Sequence, residues 1–220
     1  DKDLAYWKKE LSDVPLRVDI PDMRFAKKEG MSKDGGSHYF NLDLETSNKL
    51  KQFARANRST PFLVLSAIWA LLSSRYSGQK DIIIHYPINA RPPKFRGLLG
   101  CFVNTVLMKV DVDQTKSVSE FIKSVVQQRK DTKAYQRASL SDIVQSLRSN
   151  EIYEEGSFNV SIASTNLGLT ELNLNNCNCR AIPRELQHLD DLALHFEVKE
   201  QIGIMIDHNG AIFDEKSILR

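Results

Sequence analysis

The chain has 220 residues, 41% hydrophobic and 26% charged, a mixture that builds a sizeable core and excludes a disordered chain. Thirty Lys and Arg against twenty-eight Asp and Glu leave a net charge of +2, which argues against a general nucleic-acid or membrane-surface binder with its basic stripe. No apolar run approaches the ~20 residues that span a bilayer; the longest, Pro61 to Leu72, is interrupted by Ser66.

Tyr6, Trp7 and Leu11 sit at helical spacing and predict a short amphipathic helix. Pro15, Pro21 and the Gly30 to Gly36 region predict an extended strap. His38 to Leu44 alternates as a strand, and Glu45 to Asn57 carries Leu50, Phe53 and Ala54 on one helical face. The next helix has Ser59 or Thr60 as its cap, Pro61 in its first turn and Gly78 at its end. Its apolar residues fill most faces, so deep burial is expected.

Asp81 to Ile88 contains Ile82-Ile83-Ile84, a β-branched run suited to a strand covered on both faces. Arg91-Pro92-Pro93 breaks it, and Val103 to Val112 forms a second strand. Ser117-Val118-Ser119-Glu120 is a capping box that opens a helix carrying Phe121, Ile122, Val125 and Val126. A short helix is expected over Ser141 to Leu147. The last third reads as strands, through Phe158, Val160 and Ile162, then Leu172 and Leu174. Leu192 to Val198 and Ile202 to Ile206 follow, with a turn at Asp207-His208-Asn209-Gly210. The fold class is α/β, a mixed sheet flanked by helices.

The chemistry-bearing residues are sparse. Cys177-Asn178-Cys179 looks like half of a metal site, but the other half is missing, with only Cys101 besides and no histidine at ligand spacing, so the pair reads as two alternate-facing strand positions. So few cysteines fit a reducing, cytoplasmic setting. Asp1-Lys2-Asp3 lacks the marks of a signal peptide, and the missing initial Met leaves open a larger parent. His188, close to Asp190 and Asp191, offers a His/Asp pair for proton transfer or a solvated turn. His85, on the apolar run, reads as a hydrogen-bonded core histidine. No nucleophile elbow or phosphate loop is present, and the Arg91 to Arg96 run reads as a solvated loop.

The segment Ile84 to Lys109 resembles a signature of the condensation domains of nonribosomal peptide synthetases. Pro87 and Arg91 match its strand end and turn. Gly100, Phe102, Val103, Asn104 and Thr105 match "G-x-F-V-N-T". Tyr6, Trp7, Leu11, Ile20-Pro21-Asp22 and Arg24 resemble the family's "Y-W…L…L-P-x-D…R" strap. Ser59-Thr60-Pro61-Phe62, Tyr135 to Leu147, Phe158 to Asn166, Asp191-Leu192 and Ile212-Phe213-Asp214 follow in family order. Departures are present as well. A family glycine is His85, and the phenylalanine of "F-D-L" is Asp190. The histidine, proline and glutamate of "H-Q-D-Y-P-F-E" are Tyr135, Ser139 and Ser141.

The resemblance implies a chloramphenicol-acetyltransferase-like lobe. The catalytic H-H-x-x-x-D-G motif belongs to the family's N-terminal lobe and is not found in this sequence. The expected organisation is therefore a C-terminal lobe, with a strap over 1–37 and the α/β lobe over 38–220. The implied reaction is amide formation between carrier-bound aminoacyl or peptidyl thioesters, with this chain inactive alone. An epimerisation or cyclisation relative, or a non-catalytic carrier-docking module, is the alternative. Asn104 and Arg91 are the implied tunnel residues, with Asn104 as a strand-end brace and Arg91 as a loop anchor the structural alternatives. No catalytic or metal-binding residue is expected. No cofactor is bound directly; phosphopantetheine arms of carrier proteins enter the tunnel. Implied partners are the N-terminal lobe, donor and acceptor carrier proteins and a neighbouring adenylation domain, without nucleic acid or membrane. The lone lobe is expected to self-associate through unpaired strand edges.

Overall fold

The computed structural model describes residues 2–20, 35–165, 190–213 and 215–219. Pro21, Asp22, Arg24, Gly30, Asn166, Leu172, Leu174, Cys177, Cys179, His188 and Asp214 lie outside the described residues. Among the described residues six strands form one sheet in the order β1-β6-β5-β4-β2-β3. They are β1 (Gly36–Asn41), β2 (Asp81–Asn89), β3 (Val103–Asp111), β4 (Val160–Ser164), β5 (Leu192–Val198) and β6 (Ile202–His208). Within that sheet the β2–β4 and β4–β5 joins are parallel and the others antiparallel. The helices are α1 (Lys2–Leu11), α2 (Leu44–Ala56), α3 (Pro61–Ser77), α4 (Val118–Thr132), α5 (Leu140–Arg148) and α6 (Glu215–Leu219).

Strand alternation divides the core in two. Ile82, Ile84, Val106, Met108, Val160 and Ile162 point toward α2, α3 and α4. Ile83 and Leu107 point the other way, beneath Trp7 and Leu11 of α1 and Ile143 and Leu147 of α5. The Ile82–Ile84 run is thus covered on both faces. Trp7 also donates its indole N–H to the Tyr135 carbonyl at 2.8 Å, and Tyr6 stacks on the Tyr135 ring, 3.8 Å between centroids.

The caps follow the local sequence. Thr60 accepts from the Leu63 N–H at the start of α3, and Gly78 ends that helix in the left-handed region, at φ 75°, where a side chain would be strained. Ser117 and Glu120 close both halves of the capping box on α4. Asp43 accepts from the Thr46 N–H at 2.7 Å; α2 therefore begins at Leu44, and β1 stops at Asn41 rather than reaching Leu44. Ser139 caps α5 and starts it one residue earlier than Ser141.

Three expectations are corrected. Helix α3 is deeply buried where it meets β2, α2 and α4, but not all round: Ile68, Leu72 and Tyr76, four residues apart, form an exposed stripe. Leu72 and Tyr76 border an apolar groove of about 330 Å³ shared with Phe40, Trp69, Ile206 and Phe213. Phe158 does not share a face with Val160 and Ile162. Its φ of 57° turns the chain before β4, and its side chain joins the opposite cluster with Trp7 and Leu16, its ring centroid 6.2 Å from that of Tyr153. Asp207 and His208 are strand rather than turn, since His208 pairs with both Gly36 and Leu192.

Candidate functional site

Strands β2 and β3 form a nine-pair antiparallel hairpin, the longest ladder in the sheet. Arg91 and Asn104 lie at its connecting end. Arg91 follows β2, and its guanidinium folds back over the connection. One terminal nitrogen donates to the carbonyls of Phe95 at 3.0 Å and Leu98, the other to Gly100 at 3.0 Å. The same group lies 4.0 Å from the centroid of Phe102, a cation–π contact. Guanidinium suits this place because its planar donors reach several carbonyls at once. Leu98, Leu99 and Val103 stay exposed around the braced loop.

Asn104 sits opposite Ile88, on the α4 side of the sheet. Its amide nitrogen donates to the carbonyls of Gln136 at 2.9 Å and Ala138 at 3.2 Å. That ties β3 to the segment between α4 and α5. Gln136 in turn meets Tyr86 and Arg129. Arginine has no acceptor, so the amide oxygen of Gln136 faces it. In that orientation it accepts from Arg129 at 2.7 Å and from the Tyr86 hydroxyl at 3.2 Å. The Arg129 guanidinium lies 5.4 Å from the Tyr86 ring centroid. Burial pushes the Tyr86 phenol above its usual range, outweighing the opposing pull of Arg129 and the Gln136 hydrogen bond.

This cluster orients and donates; it does not exchange protons. Burial keeps the Tyr86 phenol protonated, and the two amides are neutral. The cluster's donors are engaged within the protein, by the carbonyls of Gln136 and Ala138 and by the Gln136 amide oxygen. Among the described residues no three His, Cys, Asp or Glu side chains converge as metal ligands. Cys101 is a free, exposed thiol.

The other face of the sheet carries a second polar group. Asp190 partners His85, with the ring Nε2 at 2.8 Å, and also accepts from the Ser161 hydroxyl. His85 is thus the hydrogen-bonded histidine its setting implied, with its side chain 15% exposed. The order is Ser–Asp–His, with the carboxylate shared, so Ser161 does not hand its proton to the imidazole as a nucleophile triad requires. Next to it, Asp191 pairs with Arg17 and accepts from the Asn159 amide. On β5 and β6, His195 Nε2 lies 3.2 Å from Asp207.

Sequence reasoning missed Gln136, Arg129 and the His85–Asp190 contact. Tyr86 is visible there only as a strand residue. Arg129 has no local signal, because its role depends on how α4 lies against β2. The His85 and Asp190 departures are visible separately, but nothing local joins them.

A family model described as "Condensation domain" matches residues 1–220. A plipastatin synthase protein of Bacillus subtilis is 28% identical over 227 aligned residues, covering 100% of this chain and 6% of that protein. Malpibaldin synthetase of Mortierella alpina is 27% identical, covering 98% of this chain and 4% of its own length. The chain therefore spans a small fraction of these curated relatives. Among solved structures, a four-domain nonribosomal peptide synthetase bound to AMP and glycine superposes with a TM-score of 0.80 at 21% identity, over 99% of this chain and 18% of that one. The first condensation domain of the calcium-dependent antibiotic synthetase, bound to a substrate analogue, gives 0.72 at 15%, over 99% of this chain and 49% of that one. The fold is chloramphenicol-acetyltransferase-like, with a mixed sheet of six strands among the described residues and helices beside it.

Proposed function

The chain belongs to the condensation-domain family of nonribosomal peptide synthetases, and from that premise we propose that it supplies the C-terminal lobe of such a domain. In this reading it forms one wall of the tunnel where carrier-bound aminoacyl or peptidyl thioesters become an amide. One observation carries the reading: nearly the whole chain superposes on about half of a condensation domain.

In the reaction, the acceptor amine attacks the donor thioester carbonyl. The C–N bond forms, the C–S bond breaks, the pantetheine thiol leaves and the amine loses a proton. Holding both arms in a near-attack arrangement supplies much of the rate. The proton needs a base, and the connecting end of the hairpin contains none that is free at neutral pH. In this reading the N-terminal H-H-x-x-x-D-G lobe supplies it. This chain's share is to brace the wall: Arg91 stiffens the hairpin loop, and Asn104 fixes β3 to the α4–α5 segment. The cofactor is the phosphopantetheine arm of each carrier, with no group bound by the chain itself. The partners are the N-terminal lobe, two carrier proteins and a neighbouring adenylation domain, in the cytoplasm. Among the described residues no helix is long and apolar enough to cross a membrane.

A second reading, a non-catalytic carrier-docking module or an epimerisation or cyclisation relative, draws on Tyr135. It stands where the family has histidine, and its ring is committed to stacking on Tyr6. The test uses the parent synthetase and this chain alone, each given carrier-bound aminoacyl thioesters, with amide product read by mass. Amide from the parent and none from the chain is expected. Product from the chain alone overturns the lobe reading; a parent that binds both carriers but forms no amide selects the docking module.

A further inference from the structure

The sheet has one weak join. The β2–β3 hairpin is held by nine registered pairs, β5–β6 by seven, β1–β6 by six and β4–β5 by five. Strands β2 and β4 share a single pair, His85 with Ser161. On one side of that join lies the β2–β3 hairpin; on the other lie the remaining four strands.

The side chains of that one pair point to the same face and meet the same carboxylate. His85 Nε2 lies 2.8 Å from Asp190 Oδ1, and the Ser161 hydroxyl donates to Asp190 Oδ2. Asp190 stands at the entry to β5, so one residue clasps β2, β4 and β5 together. On the opposite face the buried Trp69 of α3 donates its indole N–H to the Ser161 carbonyl at 3.1 Å. His85 and Asp190 are also two of the positions where the chain departs from the family pattern, glycine in one case and phenylalanine in the other. The two departures, 105 residues apart, meet at hydrogen-bond distance.

We propose that the β2–β4 join is the hinge of this sheet and that Asp190, through His85 and Ser161, closes it. His85 and Asp190 are then positioning residues: they set the β2–β3 hairpin, with Arg91 and Asn104 at its far end, against the rest of the lobe. Only the link to amide formation rests on the function proposed above; the hinge rests on the register and the clasp.

Backbone hydrogen exchange on the 220-residue chain tests it. With Asp190→Ala, the amides of β2 and β4 that face each other should exchange at least about tenfold faster, while those of the nine-pair β2–β3 ladder, 192–198 and 202–208 stay within about twofold. Asp190→Asn keeps the shape and serves if the alanine variant does not fold; it should give a smaller change in the same strands. His85→Gly and Asp190→Phe should each loosen the join, and because both remove the same contact their effects should fall short of adding in the double variant. Uniform acceleration in every strand, no acceleration, or single effects that add in the double variant would each overturn the hinge. Local opening with unchanged amide formation by the parent synthetase would support the hinge and count against the tunnel-wall reading.

Discussion

The guanidinium of Arg17 lies 2.6 Å from the Asp191 carboxylate, across 174 residues of chain. Arg17 also donates to the Gly156 carbonyl at 2.7 Å. Gly156 has a φ of +85°, which favours glycine, and a Cβ there would displace the Arg17 guanidinium. Asn159 completes the junction by gripping both the N–H and the carbonyl of Val18. The segment after α1 is thereby fastened to the start of β5.

That junction predicts the behaviour of Asp191. Burial raises its carboxyl above the ordinary range, and Arg17 is the strongest opposing influence. With a raised value, the folded state holds its proton more readily than the unfolded chain. The contribution of Asp191 to stability is therefore full below the ordinary carboxylate range and lost as pH rises through the raised value. Arg17→Met should push Asp191 higher still and lower the unfolding free energy by roughly 1–3 kcal/mol. Arg17 is more than one-third exposed, which places the cost toward the lower end. A carboxyl NMR titration reads the first effect and urea unfolding the second. An unmoved Asp191 in the variant would refute the assignment.

Arg91 predicts a proteolytic phenotype. Its guanidinium bonds to three carbonyls of the β2–β3 connection, which also contains Lys94 and Arg96. Removing about 1.5 kcal/mol of local bracing raises the open population roughly tenfold. Arg91→Ala should therefore be cut by trypsin after Lys94 or Arg96 about ten times faster than wild type, with the melting temperature little changed. Equal cleavage rates would show that the proline-rich connection holds itself.

The parts of this fold legible in the sequence are those governed by short-range rules. Thr60, Ser117 and Gly78 announce helix ends because capping is settled within a few residues. Ile82–Ile84 announces a doubly covered strand for the same reason. Phe158 leaves its expected face because alternation assumes extended backbone, and its positive φ breaks that rule. Asn104 and Arg91 stand out only through a family signature; their bonds to Gln136, Ala138 and Gly100 depend on where loops come to rest. The Asp190 clasp depends on a parallel register across distant strands, and no local pattern encodes that.

Tyr6 predicts an alkaline transition. Its phenol is pushed up to about 12, first by burial and then by the charges of Glu10, Tyr135 and Asp131. The protonated phenol is thus the form the fold prefers. Its stability contribution is full below the ordinary tyrosine value and is lost as pH climbs toward 12. Subtracting the ultraviolet titration of Tyr6→Phe from that of wild type should leave one step near pH 12. The variant keeps a ring to stack on Tyr135 and should remain folded. A difference step near pH 10 would mean that α1 does not shield this phenol.

Asn104 separates the two roles proposed for the hairpin end. Asn104→Ala removes the donor to two carbonyls, which costs about 1–2 kcal/mol, or roughly 2–8 °C in Tm for a chain of this size. Asn104→Asp keeps the size, but turns a carboxylate toward those carbonyls and should cost at least as much. In the parent synthetase both variants should slow amide formation. If Asn104 faces the tunnel, the aspartate should slow it further than matched stability loss explains, because a fixed negative charge would sit where a thioester carbonyl gains negative charge during attack. Equal slowing at equal Tm would leave Asn104 as a brace between β3 and the α4–α5 segment, and the contact with substrate would have to come from another residue of the wall.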